Sequence, residues 1–351
     1  MKIAVFPAQF VTDLDHRESY KFFRSLKAGL TSGLRKFEID HLLCAEVMHY
    51  SALPKYADKV YVLGNFYKEY VKPMVGRNTH YQSLGFAEGF LPFPEDHLSK
   101  VISDVDAVLV STRSKCKEVV LQRANDLDKV IAVIDHFDDP EIYNATMLSD
   151  AQIYRAIDDL ESFDLYLKHD VPLGLTRDKL IPIAPMPTTL VPLQESFQKK
   201  DSVIFAGRFN YSDRPESARA EFIEDLRQRL PDATFYNTGE TPLSRAEFSN
   251  LMCAAKICVS PPGKVWDSTR HSESVVFKAL PLISKPNCEI LGTLSGAIFN
   301  DANMEDRVEE ILSRGSTYLS AFDQWASCVR EHHSLDARAR LLVEKLGALL
   351  R

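Results

Sequence analysis

The chain has 351 residues, a length at which two domains are expected rather than one hydrophobic core. Hydrophobic residues make up 45% of it and charged residues 26%, the composition of an ordinary soluble globular protein. The net charge of -7 excludes bulk attraction to nucleic acid or an anionic membrane, while leaving room for a local basic groove. No stretch approaches the about 18 apolar residues of a membrane span, and the N-terminal apolar run is too short for a signal peptide. We therefore expect a cytoplasmic protein.

Six cysteines are scattered along the chain, none of them in a Cys-x-x-Cys pair. Most lie among apolar residues, a setting that favours buried free thiols in a reducing compartment over disulfides or a zinc site. They are Cys44, Cys116, Cys253, Cys258, Cys288 and Cys328.

In the first half of the chain, short apolar runs of strand length alternate with helical patterns. Helical spacing covers residues 17–34 and about 114–125. Between residues 66 and 94 the pattern is lost among Gly, Pro, Tyr and Phe, which predicts an irregular excursion of the kind that carries specificity. The predicted strands are residues 2–6, 39–43, 60–63, 107–111, 129–134, 163–168 and 180–183.

A segment rich in Pro, Thr, Gln and Lys, residues 184–201, is the best linker, and the alternation restarts after it. The predicted strands are residues 202–206, 233–236, 257–260, 280–283 and 297–299. The predicted helices are residues 215–230, 304–314, 317–331 and 335–350. Buried strands alternating with helices predict two doubly wound, Rossmann-like α/β domains facing a cleft. We place them at 1–188 and 189–334, with a C-terminal helix at 335–351 packing back on the first domain. A ligand would lie between them, at the carboxyl ends of the strands.

The most informative segment is residues 257–283, ICVSPPGKVWDSTRHSESVVFKALPLI. It predicts a buried strand, a Pro/Gly turn, a helix that opens with polar and charged residues, and a second buried strand. The first turn of a helix leaves N–H groups unpaired and carries partial positive charge, so it suits an anion. Lys264, Arg270 and His271 gather there although positive charge is unfavourable at that helix end, and Glu273 follows. We interpret this arrangement as a clamp for a diphosphate and a ribose.

The second half of the chain resembles the nucleotide-sugar-binding domain of GT-B glycosyltransferases, specifically the exostosin-like group. The likeness covers roughly the last 150 residues and lies in FAGR (205–208), LMCAAKICVSPPG (251–263), WDSTRHSE (266–273) and KALPLIS (278–284). In that group a Ser-Pro-x-Gly turn leads to an Asp-Ser-x-Arg-x-x-Glu helix and then to a strand introduced by glycine. This chain has Lys278-Ala279-Leu280-Pro281 where that glycine is usual. The first half matches in layout, and FDLYLKHD (163–170) resembles a strand that precedes the interdomain crossing in such enzymes.

This resemblance implies a GT-B architecture and a donor that is a nucleotide-diphosphate sugar. Arg270 would hold two phosphate oxygens, and Glu273 would accept hydrogen bonds from the ribose hydroxyls. Arg208 and Lys264 would reach the same phosphates. The remaining predicted binding residues lie in or beside the turn: Ser260, Gly263, which can approach a ligand closely, and Trp266, which could stack on a base or sugar. A structural alternative remains open, namely an exposed Arg270–Glu273 ion pair and a partly buried Trp266.

An inverting sugar transfer needs a general base for the acceptor hydroxyl, and two clusters in the first half supply candidates. Asp135 and His136 follow the strand at 129–134, at the end of a parallel strand where a cleft is expected. Asp15 and His16 lie in the first strand–helix loop, where many GT-B enzymes place this base. Capping of the following helices is the structural alternative for both clusters.

A divalent metal is not expected, and neither is any other cofactor. Of the three Asp-x-Asp triplets, the last two precede strands and are expected at the surface, on the edge away from the ligand. Only the first falls on the ligand edge. The triplets are Asp13/Asp15, Asp104/Asp106 and Asp126/Asp128.

The sequence therefore predicts a metal-independent glycosyltransferase that moves a sugar to an unidentified hydroxyl. Residues 66–93 could bind a glycan, a lipid-linked sugar or a modified nucleic-acid base as acceptor. Two alternatives stay open: a nucleotide-sugar 2-epimerase of the same fold, and a protein that binds a nucleotide or glycan without turnover. No Gly-x-Gly-x-x-Gly follows a strand and no P-loop is present, which disfavours a dinucleotide oxidoreductase. The sequence leaves open the oligomeric state and whether transfer is inverting or retaining.

Overall fold

The computed structural model describes residues 1–7, 50, 52–64, 89–111, 114, 116–135, 163–169, 179–183, 198–209, 218–261, 269–284 and 294–351. The chain divides into two compact units. One unit combines Met1–His169, Thr176–Ile183 and Ser334–Arg351, and the other combines Asp170–Leu175 and Ala184–His333.

Twelve strands are formed by the described residues, seven in the first unit and five in the second. In chain order they are β1 Lys2–Phe6, β2 Lys59–Leu63, β3 Phe90–Phe93, β4 Ala107–Ser111, β5 Val130–Asp135, β6 Leu165–His169, β7 Leu180–Ile183, β8 Lys200–Gly207, β9 Thr234–Asn237, β10 Ala255–Ser260, β11 Leu280–Ile283 and β12 Ile298–Phe299. Those predicted at residues 2–6, 107–111, 180–183 and 280–283 are confirmed to the residue.

The same residues form eight α-helices, none of them long and apolar enough to cross a membrane. They are α1 Leu98–Asp104, α2 Lys117–Asp126, α3 Ala218–Arg229, α4 Arg245–Ala254, α5 Thr269–Val276, α6 Met304–Ser313, α7 Gly315–Cys328 and α8 Leu335–Leu349. A π-helical turn, Val329–His333, follows α7, and the Ser334 side chain then caps α8 by accepting from the N–H of Ala337. The predicted helix at 17–34 and strand at 39–43 lie outside the described residues.

Both sheets are parallel throughout, which confirms the prediction of two doubly wound α/β units. The strand order is β3-β2-β1-β4-β5-β6-β7 in the first unit and β12-β11-β10-β8-β9 in the second. Every ladder between neighbouring described strands is parallel, so within each sheet the carboxyl ends of these strands meet at one edge.

The prediction that residues 66–94 form only an irregular excursion is wrong at its end, because Phe90–Phe93 forms strand β3. Pro92 lies in the middle of this short run. Among the described strands, β3 lies at the edge of the sheet and pairs only with β2, where Pro92 lies opposite Val62. An edge strand tolerates proline because the missing N–H is needed on one side only. Residues 65–88 lie outside the described part of the chain.

Strands of the second unit bury alternate residues against two apolar clusters, one on each face of the sheet. In β8, Val203 and Phe205 belong to the cluster that α3, α6 and α7 complete, whereas Ile204 and Ala206 belong to the one that α4 completes. Four described cysteines, Cys116, Cys253, Cys258 and Cys328, are buried thiols outside any disulfide, as predicted. Burial raises the pKa of Cys258 to about 12, so this thiol stays protonated at neutral pH.

One lysine ties two helix ends to the amino edge of the second sheet. The ammonium of Lys199, the residue before β8, donates to the carbonyls of Ala255 and Phe277, both at 2.7 Å. Ala255 directly follows α4 and Phe277 directly follows α5. A cation is favourable at helix carboxyl ends. Both helices therefore end at the amino edge of the sheet and begin towards its carboxyl edge.

Arg229, the last residue of α3, links this helix to the start of α6. Its guanidinium donates to the carboxylate of Glu305 from Nε and Nη2, to Asn300 Oδ1 at 2.6 Å and to the Asp301 carbonyl at 2.6 Å. The hydrogen bonds from Arg229 lower the pKa of Glu305 to about 2. The pair therefore stabilises the fold at a pH where Glu305 is ionised.

We predict that Glu305→Gln lowers the free energy of unfolding at pH 7, and that this deficit shrinks in acid. Because the folded pKa of about 2 lies below the ordinary 4.5, the contribution of Glu305 is complete above pH 4.5. It is lost as the pH falls towards 2. Urea titrations of both proteins between pH 7 and pH 3 measure the difference. Glu309→Gln, an exposed change of the same charge on the same helix, is the control. A deficit that does not vary with pH would contradict this assignment.

Candidate functional site

The carboxyl edge of the second sheet brings together the ends of β8, β9 and β10 with the first turn of α5. In parallel α/β sheets ligands bind at this edge. Arg270 is the second residue of α5, so it lies in the first helical turn, as the sequence predicted. Its side chain is half-buried.

The guanidinium of Arg270 lies over the end of β8. Its central carbon is 5.6 Å from the ring centre of Phe205, in β8, and 5.8 Å from that of Phe248, in α4. A Cβ atom added at Gly207, the last residue of β8, would lie 2.9 Å from Arg270 Nη1 and 3.3 Å from Nη2. Any side chain at position 207 would therefore overlap the guanidinium or push it away.

Gly207 is thus a site residue that the sequence analysis did not single out. The FAGR motif contains it, and a glycine ending a buried strand is a recognised sign of close approach by another group. The approaching group is the guanidinium of Arg270, 63 positions later in the chain. The sequence therefore indicated a close approach to Gly207 but not which residue makes it.

The start of α5 is fixed to the end of β10 through buried groups. Ser260 Oγ lies 2.6 Å from His271 Nδ1, and both side chains are buried. Ser274 Oγ donates to the His271 carbonyl at 2.6 Å and accepts from Trp325 Nε1, in α7, at 2.8 Å. His271, grouped by sequence with the basic residues of the clamp, is instead part of this buried support.

Arg208 is the exposed residue after Gly207, beside the turn that follows β9. Its Cγ lies 3.7 Å from the position of a Cβ added at Gly239. Asn237 holds this turn: its Oδ1 accepts from Gly239 N at 3.1 Å and its Nδ2 donates to Glu240 Oε1 at 2.7 Å. Arg208 and Arg270 therefore both adjoin Gly207.

Several predicted residues fall outside what the structure describes and stay predictions. Glu273 lies in α5 and Asp135 is the last residue of β5, and the side chains of both are outside the described part. Neither backbone nor side chain is described for the remaining ones, namely Asp13, Asp15, His16, His136, Gly263, Lys264 and Trp266.

Two of the Asp-x-Asp triplets, Asp104/Asp106 and Asp126/Asp128, lie just before strands β4 and β5 and at the surface, as predicted. Asp104 accepts from Lys2 Nζ at 2.7 Å and from the Tyr61 hydroxyl at 3.0 Å, and the Lys2 hydrogen bond lowers its pKa. Asp106 accepts from the Lys2 N–H at 2.7 Å, and all four carboxylates of these triplets are exposed. Among the described residues, no three His, Cys, Asp or Glu side chains gather in a way that could hold a metal ion.

Comparison with known proteins gives likeness in structure only, since no family model and no curated protein matches the chain. UDP-GlcNAc 2-epimerase from Neisseria meningitidis, bound to UDP-GlcNAc, aligns with a TM-score of 0.44 and 11% identity over 99% of this chain and 100% of that one. The GtfA/B complex aligns with a TM-score of 0.41 and 10% identity over 72% of this chain, which spans 60% of that one.

Trehalose 6-phosphate synthase from Burkholderia multivorans aligns with a TM-score of 0.40 and 10% identity, over 72% of this chain and 75% of that one. Likeness at this level carries no information about the reaction.

We predict that Ser274→Ala destabilises the protein by about 1 to 3 kcal/mol, because it leaves the buried Trp325 N–H without its acceptor. Urea denaturation measures the change. Ser313→Ala is the matched control: this exposed hydroxyl also donates to a helix carbonyl, that of Glu310, but no buried group depends on it. Equal effects of the two substitutions would show that the Ser274–Trp325 contact does not support α5.

Proposed function

We propose that the protein is a nucleotide-sugar-dependent glycosyltransferase whose donor diphosphate binds at the carboxyl edge of the second sheet. The observation that carries this proposal is the position of Arg270. Its guanidinium lies at the start of a helix, over the end of β8, where Gly207 leaves room for it. Arg208 adjoins the same glycine from the strand itself.

The chemistry of sugar transfer explains why positively charged side chains would be needed at the carboxyl edge of the second sheet. As the glycosidic C–O bond breaks, the departing nucleoside diphosphate gains negative charge. Fixed donors that meet this charge stabilise the transition state more than the ground state. The planar guanidinium of Arg270 can donate to two phosphate oxygens at once, and the N–H groups of the first turn of α5 favour the same anion. Glu273, three residues further along α5, is proposed to accept from the ribose hydroxyls.

The choice of a nucleotide sugar over other anions rests on the motif resemblance. The Asp-Ser-x-Arg-x-x-Glu motif, which follows the Ser-Pro-x-Gly turn, contains Arg270, the residue whose guanidinium lies at Gly207. For the acceptor hydroxyl, Asp135 is proposed as general base because it ends a parallel strand, with His136, Asp15 and His16 as the other candidates. The acceptor is a glycan, a lipid-linked sugar or a modified nucleic-acid base.

The proposal includes no divalent ion, because the arginines and the helix start are assigned the charge of the leaving group. Transfer should then continue in excess chelator. Complete loss of activity in chelator, restored by magnesium or manganese, would instead make Asp13 and Asp15 the metal ligands.

A panel of nucleotide sugars distinguishes the proposal from its alternatives. A ligand at 100 times its dissociation constant raises the free energy of unfolding by about 2.7 kcal/mol, so thermal shift identifies the donor. With that donor, release of nucleoside diphosphate that increases with acceptor indicates a transferase. A change in the sugar itself, followed by NMR, indicates a 2-epimerase. Binding with neither reaction across a broad set of acceptors indicates a binding protein and contradicts the proposal.

We predict that Arg270→Ala lowers kcat/KM by about 30- to 900-fold, the equivalent of about 2 to 4 kcal/mol of transition-state stabilisation. The physical reason is loss of a charge-assisted contact to the departing diphosphate. Steady-state kinetics with the identified donor measures the effect. Rates within a few-fold of the parent protein would refute the role of Arg270.

Two further variants distinguish the effect of the positive charge of Arg270 from the effect of the position of its guanidinium. Arg270→Lys keeps the positive charge but loses the planar guanidinium that can donate to two phosphate oxygens. Its activity should lie between those of Arg270→Ala and the unmodified protein. Gly207→Ala keeps the arginine but moves its guanidinium, since the new methyl group would lie 2.9 Å from Nη1. It should reduce activity severely while costing about 1 to 3 kcal/mol of stability from overpacking against Phe205. An active Gly207→Ala variant would contradict the assigned geometry.

A further inference from the structure

Two consecutive residues of α5 contact the carboxyl ends of two neighbouring strands. The guanidinium of Arg270 lies at Gly207, the last residue of β8. The side chain of His271 hydrogen-bonds to Ser260, the last residue of β10, with 2.6 Å between Nδ1 and Oγ. β8 and β10 are neighbours in the sheet, and adjacent strands lie about 4.8 Å apart. The two contacts therefore hold the start of α5 against the sheet edge at two separate points.

The contact between His271 and Ser260 lies inside the protein. Both residues are buried, and the Ser260 hydroxyl, which belongs to the turn motif singled out in the sequence, is directed to the imidazole ring. The main chain of His271 is fixed as well, because its carbonyl accepts from Ser274 Oγ at 2.6 Å. Side chain and main chain of the residue next to Arg270 are thus both held in place.

The rotation of α5 about its own axis decides where the Arg270 guanidinium lies. Side chains of an α-helix extend to about 5 to 6 Å from its axis, so a rotation of about 20° moves their ends by about 2 Å. The place at Gly207 is narrow, because a Cβ added there would lie only 2.9 Å from Arg270 Nη1. Successive helix residues project about 100° apart, so the contact of His271 opposes rotation without occupying the place of Arg270.

We propose that His271 is the positioning residue for Arg270: through its hydrogen bond to Ser260 it sets the rotation of α5 and so places the guanidinium against the departing diphosphate. This inference rests on the function proposed above, in which Arg270 touches the phosphates and His271 does not. A displacement of about 1 Å in a group that acts on the transition state can lower a rate by about 100-fold. His271 therefore affects the reaction through Arg270.

Steady-state kinetics of the whole chain, with the donor identified by thermal shift, tests the inference. His271→Leu removes the hydrogen bond and keeps an apolar group in the buried position. We expect kcat/KM to fall by about 10- to 100-fold, mainly through kcat, because the contact that is misplaced acts in the transition state. Ser260→Ala removes the same hydrogen bond from the strand and should have an effect of the same size.

The same substitution in the Arg270→Ala background distinguishes positioning from a merely structural role. If His271 acts through Arg270, the double variant should lie within about twofold of Arg270→Ala, because no guanidinium remains to be positioned. A structural role lowers the folded fraction, so His271→Leu would reduce activity by the same factor in both backgrounds. Urea denaturation gives the folded fraction by which each rate is corrected. If His271→Leu does not fold, Ser260→Ala replaces it in the same cycle.

Two conservative replacements identify the ring nitrogen that matters. An asparagine places its amide about where Nδ1 stands in histidine, whereas a glutamine places it near Nε2, and both amides donate and accept. His271→Asn should therefore retain most of the activity, and His271→Gln should retain less. The reverse order would show that the contact to Ser260 is not the one that positions Arg270.

Tyr318→Phe is the matched control. The Tyr318 hydroxyl, in α7, donates to the carbonyl of Lys278, the second residue beyond the end of α5. Its loss removes one part-buried hydrogen bond near the far end of the same helix and leaves the contacts at the start of α5 in place. The kcat/KM of the folded variant should stay within about twofold of that of the unmodified protein.

The outcomes separate this inference from the proposed function. If no nucleotide sugar is turned over, or if Arg270→Ala retains the parent rate, the proposed function fails and the inference fails with it. If Arg270→Ala loses activity as predicted, the proposed site stands. In that case a kcat/KM of His271→Leu within a few-fold of the unmodified protein, or an equal loss in both backgrounds, overturns the role of His271 alone.

Discussion

Arg270 can lie over the end of β8 only because residue 207 has no side chain, and the other features of the site depend on this contact. The contact brings a residue of α5 to the neighbouring strand, beside Arg208. It also places the guanidinium near Phe205, the ring that Arg219 approaches from α3. A parallel sheet makes such convergence possible, since every strand ends, and the next helix begins, on the same edge.

The helix that carries Arg270 is held at both ends by polar contacts, buried at its start and part-buried beyond its last residue. Near its start, the His271–Ser260 hydrogen bond fixes it to β10. Beyond its last residue, Lys199 binds the Phe277 carbonyl at the opposite edge of the sheet. Buried hydrogen bonds of this kind are costly to break, because each leaves a polar group without a partner. The start of α5 is therefore fixed to the sheet, as the proposed stabilisation of a transition state by fixed charges would require.

Strands were largely predictable from the sequence, and contacts between distant residues were not. Buried runs such as residues 107–111 stand out because both faces of the sheet are covered. Helix α4 was missed although Ser244 and Glu247 form a capping box, a readable signal. His271 was misjudged because successive helix residues point about 100° apart, so it faces the core while Arg270 reaches the strand edge. The approach of Arg219 and Arg270 to one ring depends on tertiary packing, which no local pattern encodes.

The most direct test of the central claim is amide hydrogen exchange with and without a saturating nucleoside diphosphate. If the diphosphate binds at the carboxyl edge of the second sheet, exchange should slow in peptides covering Gly207 and Arg208 and the first turn of α5. Peptides at the amino edge, around Lys199 and Lys278, should be unaffected. Protection at the amino edge, or protection confined to the first unit, would contradict the account.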